Sequence, residues 1–243
     1  MIRSLVAGLS LACLALPAAA QNAGDPAVPV QLVAVQYTTL SAELPSKIDR
    51  IAVKEGDRFK EGQQLVAFDC VIQRAQVEEA QAILGAAEKS KAVHKRLLEL
   101  NSAGTLETDK AAADAAVAQA KLNSARAVAT KCGITAPFSG RVVEQKARAH
   151  QYIQAGQPIL DILDDSSLDA EFIVPSGWVR AIKQGTVIQV AVDETRKVYP
   201  AKITRVGAKV DAVSHSVKVV AEIKGDYPEL IAGMTGRVQM PSP

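Results

Sequence analysis

The fold is decided by the stretch KIDRIAVKEGDRFKEGQQLVAFD, residues 47–69. Short apolar pairs alternate there with turn residues, and Gly56 and Gly62 punctuate the stretch. Glycine readily takes the positive φ that tight β-turns require. The pattern therefore predicts a compact unit of very short β-strands, preceded by the alternating strand VPVQLVAV that starts at residue 28.

A second copy of this pattern follows the return of β-type sequence at Gly133. The residues GQPILDI from Gly156 repeat GQQLVAF from Gly62. His150 stands where the first copy has Gly56, and histidine adopts positive φ more readily than most residues. We interpret the two copies as halves of one small β domain that pair with each other.

Between the two halves the sequence becomes helical. From Cys70 to Leu100 there is no proline, and Asp69 is the expected N-cap. A second, alanine-rich stretch covers residues 106–131, after a break at residues 101–104. In the first stretch apolar residues recur at helical spacing, at Val71, Ala75, Ala82, Ala86, Val93, Leu97 and Leu100. The pattern predicts an antiparallel helical hairpin whose alanines let the two axes approach closely. We expect a projecting coiled coil, because few large apolar residues are available for a globular bundle.

The remaining chain, residues 166–240, contains alternating strands separated by turn signals, which indicates a small β-barrel. Within it, SGWVRAIKQG predicts a short helix closed by Gly185. The predicted fold class is mainly β with an inserted α-helical hairpin, in an elongated molecule. Its parts are a split β domain (residues 28–69 and 133–165), the hairpin (70–132) and the barrel (166–240).

The first residues have the pattern of a secretory signal peptide, predicted over residues 1–20. Arg3 precedes a short apolar run, and Ala18–Ala20 form a small-residue cleavage site. The run is shorter than the roughly 20 residues that span a membrane. Cys13 raises the alternative of a lipid anchor, but Ser10 stands where a lipoprotein signal has an aliphatic residue. We expect an exported, soluble mature chain.

Composition argues against several functions. The formal net charge of +2 comes from interspersed charges, which indicates a solvated surface and no nucleic-acid partner. The three histidines lie in separate segments without cysteine or carboxylate at metal-ligand spacing. Nucleotide-binding and hydrolase motifs are absent. The sequence therefore predicts a protein that is not an enzyme and has no catalytic site, cofactor or metal.

The paired half-motifs resemble a known family. IAVKEGDRFKEGQQLVAFD, the hairpin and then GITAPFSGRV resemble the split lipoyl domain of the membrane fusion (periplasmic adaptor) proteins. VPSGWVRAIKQG, VDAVSHSVKV and LIAGMTGRV resemble that family's barrel, so the resemblance covers about residues 30 to 240. It implies a periplasmic, envelope-associated adaptor that links an inner-membrane efflux transporter, most often of the resistance-nodulation-division (RND) type, to an outer-membrane channel. It also implies trimers or hexamers in the assembled pump.

The resemblance extends in part to the hairpin tip. Family members show an arginine, a leucine four residues later and a serine seven residues beyond that. Arg96 and Leu100 match, whereas Glu107 replaces the serine. The resemblance implies that the tip contacts the channel through Arg96, Leu100, Gly104, Thr105 and Glu107. Because Glu107 lacks a hydroxyl, we expect Thr105 or Thr108 to cap the second helix.

A further departure from the family concerns the chain ends. Many adaptors have a membrane-proximal β domain built from both termini. Here only the residues before Val28 and after Val238 are available, so we expect that domain to be absent or rudimentary.

Cys70 and Cys132 flank the predicted hairpin. Antiparallel pairing of the two helices places both residues at its base, and an oxidising compartment allows their thiols to pair. We predict a disulfide there. The alternative is two separately buried thiols that behave as small apolar groups.

Two other functions remain open from the sequence. A periplasmic scaffold or regulator would use the hairpin to bind another envelope partner. A lipoyl or biotinyl carrier would need a modifiable lysine on the turn between the two half-domains, which the hairpin replaces here. Cross-linking at the tip distinguishes the adaptor from the scaffold, since an adaptor captures an outer-membrane channel and a scaffold captures a cell-wall enzyme alone.

Overall fold

A computed structural model of the chain describes residues 27–225 and 227–239. The predicted signal peptide and Cys13 lie outside the described residues. In chain order the elements are β1 (Val28–Ser41), β2 (Ser46–Ile51), β3 (Arg58–Phe59), β4 (Gln64–Phe68), α1 (Val71–Glu99), α2 (Thr105–Ala129), β5 (Gly133–Thr135), β6 (Gly140–Gln145), β7 (Tyr152–Ile153), β8 (Pro158–Pro175), β9 (Val187–Val192), β10 (Lys197–Val206), β11 (Ser216–Ile223) and β12 (Thr235–Gln239). Short 3-10 helices cover Thr130–Cys132 and Ser176–Arg180. The predicted fold class, mainly β with a helical insertion, is confirmed.

A closed barrel forms from the first half of β1 together with β8 to β12. The strands follow the order β1-β12-β9-β10-β11-β8, and pairing of β1 with β8 closes the ring. Its core includes Leu32, Phe172, Val190, Ile203 and Val219, all fully or almost fully buried. Closure removes the free strand edges that would otherwise pair with other chains.

The start of β1 differs from the predicted domain boundary. Val28, Val30 and Leu32 are buried in the barrel core, whereas the sequence pattern predicts that residues 28–69 belong to the split domain. Strand β1 continues past the barrel and pairs through its second half with residues 158–164 of β8. Side-chain alternation along a strand does not mark the point where the strand passes from one core to another, so the sequence pattern missed this change.

The split domain has its own core, which includes Ile48, Phe59, Leu65, Ile153 and Ile159. Its two halves pair directly: β4 with β5, β2 with β7, and β3 with β6. This is the pairing that the repeated half-motifs predict. The hairpin leaves the domain after β4 and returns at β5.

The repeat is also visible in four turns with one hydrogen-bond pattern. The turns cover residues 54–57, 60–63, 148–151 and 154–157. In each of them the backbone N–H of the first residue donates to the side-chain oxygen of the fourth residue, at 2.8 to 3.1 Å. The third residues, Gly56, Gly62, His150 and Gly156, have φ of +85°, +76°, +67° and +82°. His150 thus takes the left-handed conformation that glycine takes in the other three turns.

The two helices pack through faces with alternating spacings of three and four residues. The least exposed positions of α1 are Gln73, Val77, Ala80, Leu84, Ala87, Lys91, His94 and Leu98. Those of α2 are Thr108, Ala111, Ala115, Ala118, Leu122, Ala125 and Ala129, with Ala112 beside them. The apolar set selected from the sequence lies elsewhere on α1: Val93 is 55% exposed and Leu100 56%. Helix α1 carries two apolar stripes with the same period, so periodicity alone did not identify the one that packs against α2.

The start of α1 also differs from the expectation. Its N-cap is Cys70 rather than Asp69, and no side chain caps it. The Asp69 carboxylate accepts only a long bond, 3.4 Å, from the backbone N–H of Val71. Cys70 is fully buried in the core of the split domain, and the helix begins one residue later, at Val71.

Candidate functional site

The hairpin tip is closed by a specific helix-end motif. Helix α1 ends at Glu99, and Asn101 takes a φ of +53°. The N–H of Asn101 donates to the carbonyl of Leu98 at 2.9 Å, and that of Ser102 to the carbonyl of Leu97 at 2.8 Å. This pair of bonds is the Schellman arrangement, in which a left-handed residue satisfies the last carbonyls of a helix. Asparagine tolerates that conformation, so the chain reverses within a few residues.

Arg96 lies at the tip, where its guanidinium pairs with a carboxylate of the same helix. Its Nη1 donates to Glu99 Oε2 at 2.9 Å, and the two side chains are 70% and 49% exposed. An exposed pair of this kind contributes little to stability. A carboxylate or carbonyl of a partner can therefore replace Glu99 at low cost.

Leu100 and Leu106 are the exposed apolar residues of the tip, with exposed fractions of 56% and 77%. Leu98 and Thr108 are turned toward the opposite helix, and Thr108 Oγ1 reaches the carbonyl of His94 on α1 at 3.5 Å. Leu100 and Leu106 each lie two positions from one of these inward residues, a rotation of about 200° around the helix. The two leucines therefore project from opposite faces of the tip.

Leu106 was not among the site residues predicted from the sequence. The available signal was a large apolar side chain in the first turn of a helix that otherwise begins with polar residues. That signal is ambiguous, because the same pattern describes a leucine that packs inside the hairpin.

Glu107 is placed against the start of α2 rather than outward. A Cβ added at Gly104 would meet the Glu107 carboxylate, which shows that this carboxylate folds back over the N-cap residue. There it faces the positive end of the helix dipole, where a carboxylate is stabilising. A larger residue at position 104 would displace only the flexible end of the Glu107 side chain.

The expected threonine cap of α2 is wrong. Gly104 is the N-cap, and no side chain donates or accepts a capping bond there. Thr105 is the first helical residue, while the Thr108 hydroxyl donates to the carbonyl of Gly104 at 3.1 Å. The first turn of α2 is consequently stabilised by the charge of Glu107.

The hairpin base is fastened to the split domain. Cys70 and Cys132 are joined as a disulfide, with their Cα atoms 5.8 Å apart. Cys70 is fully buried in the core of the split domain, and Cys132 packs against the same core. Nearby, Lys131 at the end of α2 forms an ion pair with Glu43. These contacts hold both helix ends at a single point.

Across residues 27–225 and 227–239, no cluster of three or more histidine, cysteine or carboxylate side chains is arranged to hold a metal ion. The helices of this part of the chain are too short or too polar to cross a bilayer.

Comparison with known families identifies the arrangement of split domain and inserted hairpin. A family model described as the barrel-sandwich hybrid domain of RND membrane fusion proteins matches residues 38–165. The chain belongs to this family. The matched range begins in β1, contains the whole hairpin and ends at Asp165 on β8, where the barrel begins.

Relatives in the same family include efflux proteins. The chain is 28% identical to an uncharacterised protein of Haemophilus influenzae over 212 residues, which are 86% of this chain and 55% of the relative. It is 29% identical over 176 residues to the antibiotic efflux pump periplasmic linker protein ArpA of Pseudomonas putida, covering 64% of this chain and 47% of ArpA. The chain thus spans about half the length of these relatives.

Solved structures share the fold. A MacA–MexA chimera that carries the Pseudomonas aeruginosa MexA α-hairpin aligns with a TM-score of 0.78 at 22% identity, covering 88% of this chain and 78% of the chimera. The membrane fusion protein Spr0693 of Streptococcus pneumoniae aligns with a TM-score of 0.75 at 16% identity, covering 89% of this chain and 99% of Spr0693.

Proposed function

We propose that this protein is a non-enzymatic periplasmic adaptor that couples an inner-membrane efflux transporter to an outer-membrane channel. The observation that carries the proposal is the tip of the hairpin. It combines an accessible arginine, Arg96, with two exposed leucines, Leu100 and Leu106, on a helix pair fastened at its base. Exposed leucines at such a position favour burial against a partner. Family membership and the efflux linkers among the relatives support the same function.

In such an adaptor the tip residues have different roles. Leu100 and Leu106 bury apolar surface on the two sides of the tip, in contact with the outer-membrane channel. Arg96 exchanges Glu99 for an acceptor on the channel, because its own pair is exposed and easily replaced. Glu107, Gly104 and Thr105 shape the start of α2 and keep the tip in this form.

The proposal is tested by substitution at the tip in a strain that depends on this pump. Arg96→Glu, Leu100→Asp and Leu106→Asp should each abolish export and cross-linking to the channel, because each places charge where the proposal requires an opposite or apolar surface. Secretion and thermal unfolding should be unchanged, since the three side chains are exposed.

Val198→Asp is the matched control. Val198 is 59% exposed on strand β10 of the barrel, so the same chemical change occurs away from the tip. It should leave channel cross-linking intact. Full export by all three tip variants, or cross-linking of the tip to a cell-wall enzyme alone, would contradict the adaptor function.

A further inference from the structure

The barrel and the split domain are connected by two neighbouring strands whose pairing is interrupted. The chain passes between the two cores at Val35 on β1 and at residues 165–167 on β8. Ala34 pairs with Leu168 and Gln36 with Asp164, so three residues of β8 lie opposite Val35 alone. Extra residues in one strand disrupt the ladder and bend the strand. The connection is therefore a weak point of the sheet.

A cleft also separates the barrel from the split domain at this junction. Its volume is about 70 Å³. Arg58, Arg141 and Asp165 line it together with Ile223 and Leu230 of the barrel side. Close packing between the barrel and the split domain would prevent one from rotating against the other. The cleft leaves room for such a rotation.

One carboxylate ties the interrupted segment to the split domain. Asp165 Oδ2 accepts a bond from Arg58 Nη2 at 2.9 Å and lies 3.3 Å from Arg141 Nε. The Asp165 side chain is only 17% exposed. The Nε of Arg141 is buried and has no aligned hydrogen-bond partner among the described residues, so Asp165 is its compensating charge.

The two arginines need this carboxylate for a reason set by the sheet. Arg58 on β3 and Arg141 on β6 are direct cross-strand partners. Like charges in that relation repel each other and destabilise the pair. Asp165 neutralises the repulsion, and in doing so it pulls the interrupted part of β8 onto the β3–β6 pair.

We propose that Asp165 is a positioning residue that sets the angle between the barrel and the hairpin-bearing split domain. While Asp165 holds Arg58 and Arg141, the junction has one preferred angle. When the contact is removed, the two cores rotate about Val35 and residues 165–167.

The test is a distance measurement by pulsed electron paramagnetic resonance on the purified full chain. Spin labels are attached through azide-bearing residues at Ala113 on α2 and Val198 on β10, which leaves the native cysteines untouched. Asp165→Asn should broaden and shift the distance distribution, and Asp165→Glu should restore it in part. Arg58→Gln removes one of the two contacts and leaves Arg141 in place, so it should broaden the distribution less than Asp165→Asn.

Asp169→Asn is the matched control. Asp169 also lies on β8 and pairs with an arginine, Arg205 Nη2 at 2.8 Å, but both belong to the barrel. This variant should leave the distribution unchanged. An unaltered distribution in both Asp165→Asn and Arg58→Gln would overturn the proposal. Equal broadening in Asp169→Asn would overturn it too, because the effect would then not depend on the junction.

Discussion

Asp161 is a carboxylate on β8 that the side chains of Tyr37, Thr39 and Lys146 shield from solvent. The residue is 2% exposed. Its carboxylate accepts bonds from Tyr37 Oη and Thr39 Oγ1, each at 2.7 Å, and pairs with Lys146 Nζ at 2.6 Å. Burial by itself raises the pKa of Asp161, but the bonds from Lys146, Thr39 and Tyr37 outweigh it and hold the pKa below its usual 3.8. The cluster ties the second half of β1 to β8.

We expect Asp161→Asn to lower the free energy of unfolding at neutral pH. Asparagine loses the charge-assisted bonds from Lys146, Tyr37 and Thr39. Because Lys146 is 32% exposed and also lies 3.9 Å from Glu144, the loss should be about 1–2 kcal/mol. Because the folded pKa is depressed, the contribution is complete above the unfolded pKa and is lost as pH falls through the folded value. Urea unfolding at neutral pH and near pH 3 should therefore show a smaller difference at the acid end.

Asp49→Asn provides the control for that measurement, since Asp49 is exposed on strand β2. It should change stability by less than about 0.5 kcal/mol at either pH. A constant difference between wild type and Asp161→Asn across the acid range would show that the carboxylate is not the group responsible.

At the scale of single elements, the predicted disulfide closes the hairpin at its root. It joins residues separated by 62 positions. Closing a loop of this size stabilises a folded chain by up to about 4 kcal/mol in the chain-entropy model. We expect less for Cys70→Ala/Cys132→Ala, because α1 and α2 already bring the ends together. Denaturant unfolding of this double variant measures the effect.

Thiol labelling of the denatured, unreduced chain tests the bond itself. The mature chain, predicted to begin at Gln21, should show no reactive thiol before reduction and two after it. Labelling of both cysteines without reductant would contradict the disulfide and favour two separate buried thiols.

The alanine-lined face of α2 packs closely against α1, so larger residues there should destabilise the hairpin. Ala115 is 1% exposed between the helices, while its neighbour Ala116 faces solvent. Ala115→Leu should force the helices apart and destabilise the hairpin by about 1–3 kcal/mol. Ala116→Leu should be nearly neutral. Hydrogen exchange resolved by segment measures the effect, and equal protection of α1 in both variants would contradict the assignment of the packed face.

At the scale of the whole molecule, a stripe of exposed apolar residues along α1, formed by Ile72, Ile83 and Val93, favours side-by-side association. Ile72, Ile83 and Val93 are 69%, 44% and 55% exposed along the hairpin. A neighbouring copy that lies alongside α1 would remove this apolar surface from water. We predict trimers or hexamers of this chain in the assembled pump. Mass measurement of the intact complex checks this, and a single copy per pump would contradict it.

Ile83→Glu should reduce the copy number without affecting the fold of the chain. The residue is exposed in the single chain, so a charge there costs little until a neighbouring copy approaches. Glu88→Gln, on the other side of α1, is the control. It changes a charge outside the stripe, so the copy number should stay the same.

Several features could be predicted from the sequence because local rules determine them. Turn glycines at fixed offsets and short alternating runs predicted the paired half-domains, and even the left-handed His150 followed from its place in the repeat. Helical spacing without proline predicted two long helices between them. The tip residues Arg96 and Leu100 followed from a family motif rather than from periodicity.

Other features depended on contacts between distant parts of the chain, and only the tertiary structure decided them. Which stripe of α1 is buried depends on how α2 lies against it, and the passage of β1 between two cores depends on its pairing with β8. Asp161 meets Tyr37 across a sequence separation of 124, and Asp165 meets Arg58 across 107. A periodic pattern specifies which residues share a face of an element. It does not specify which face finds a partner, because that is settled by packing among elements far apart in the chain.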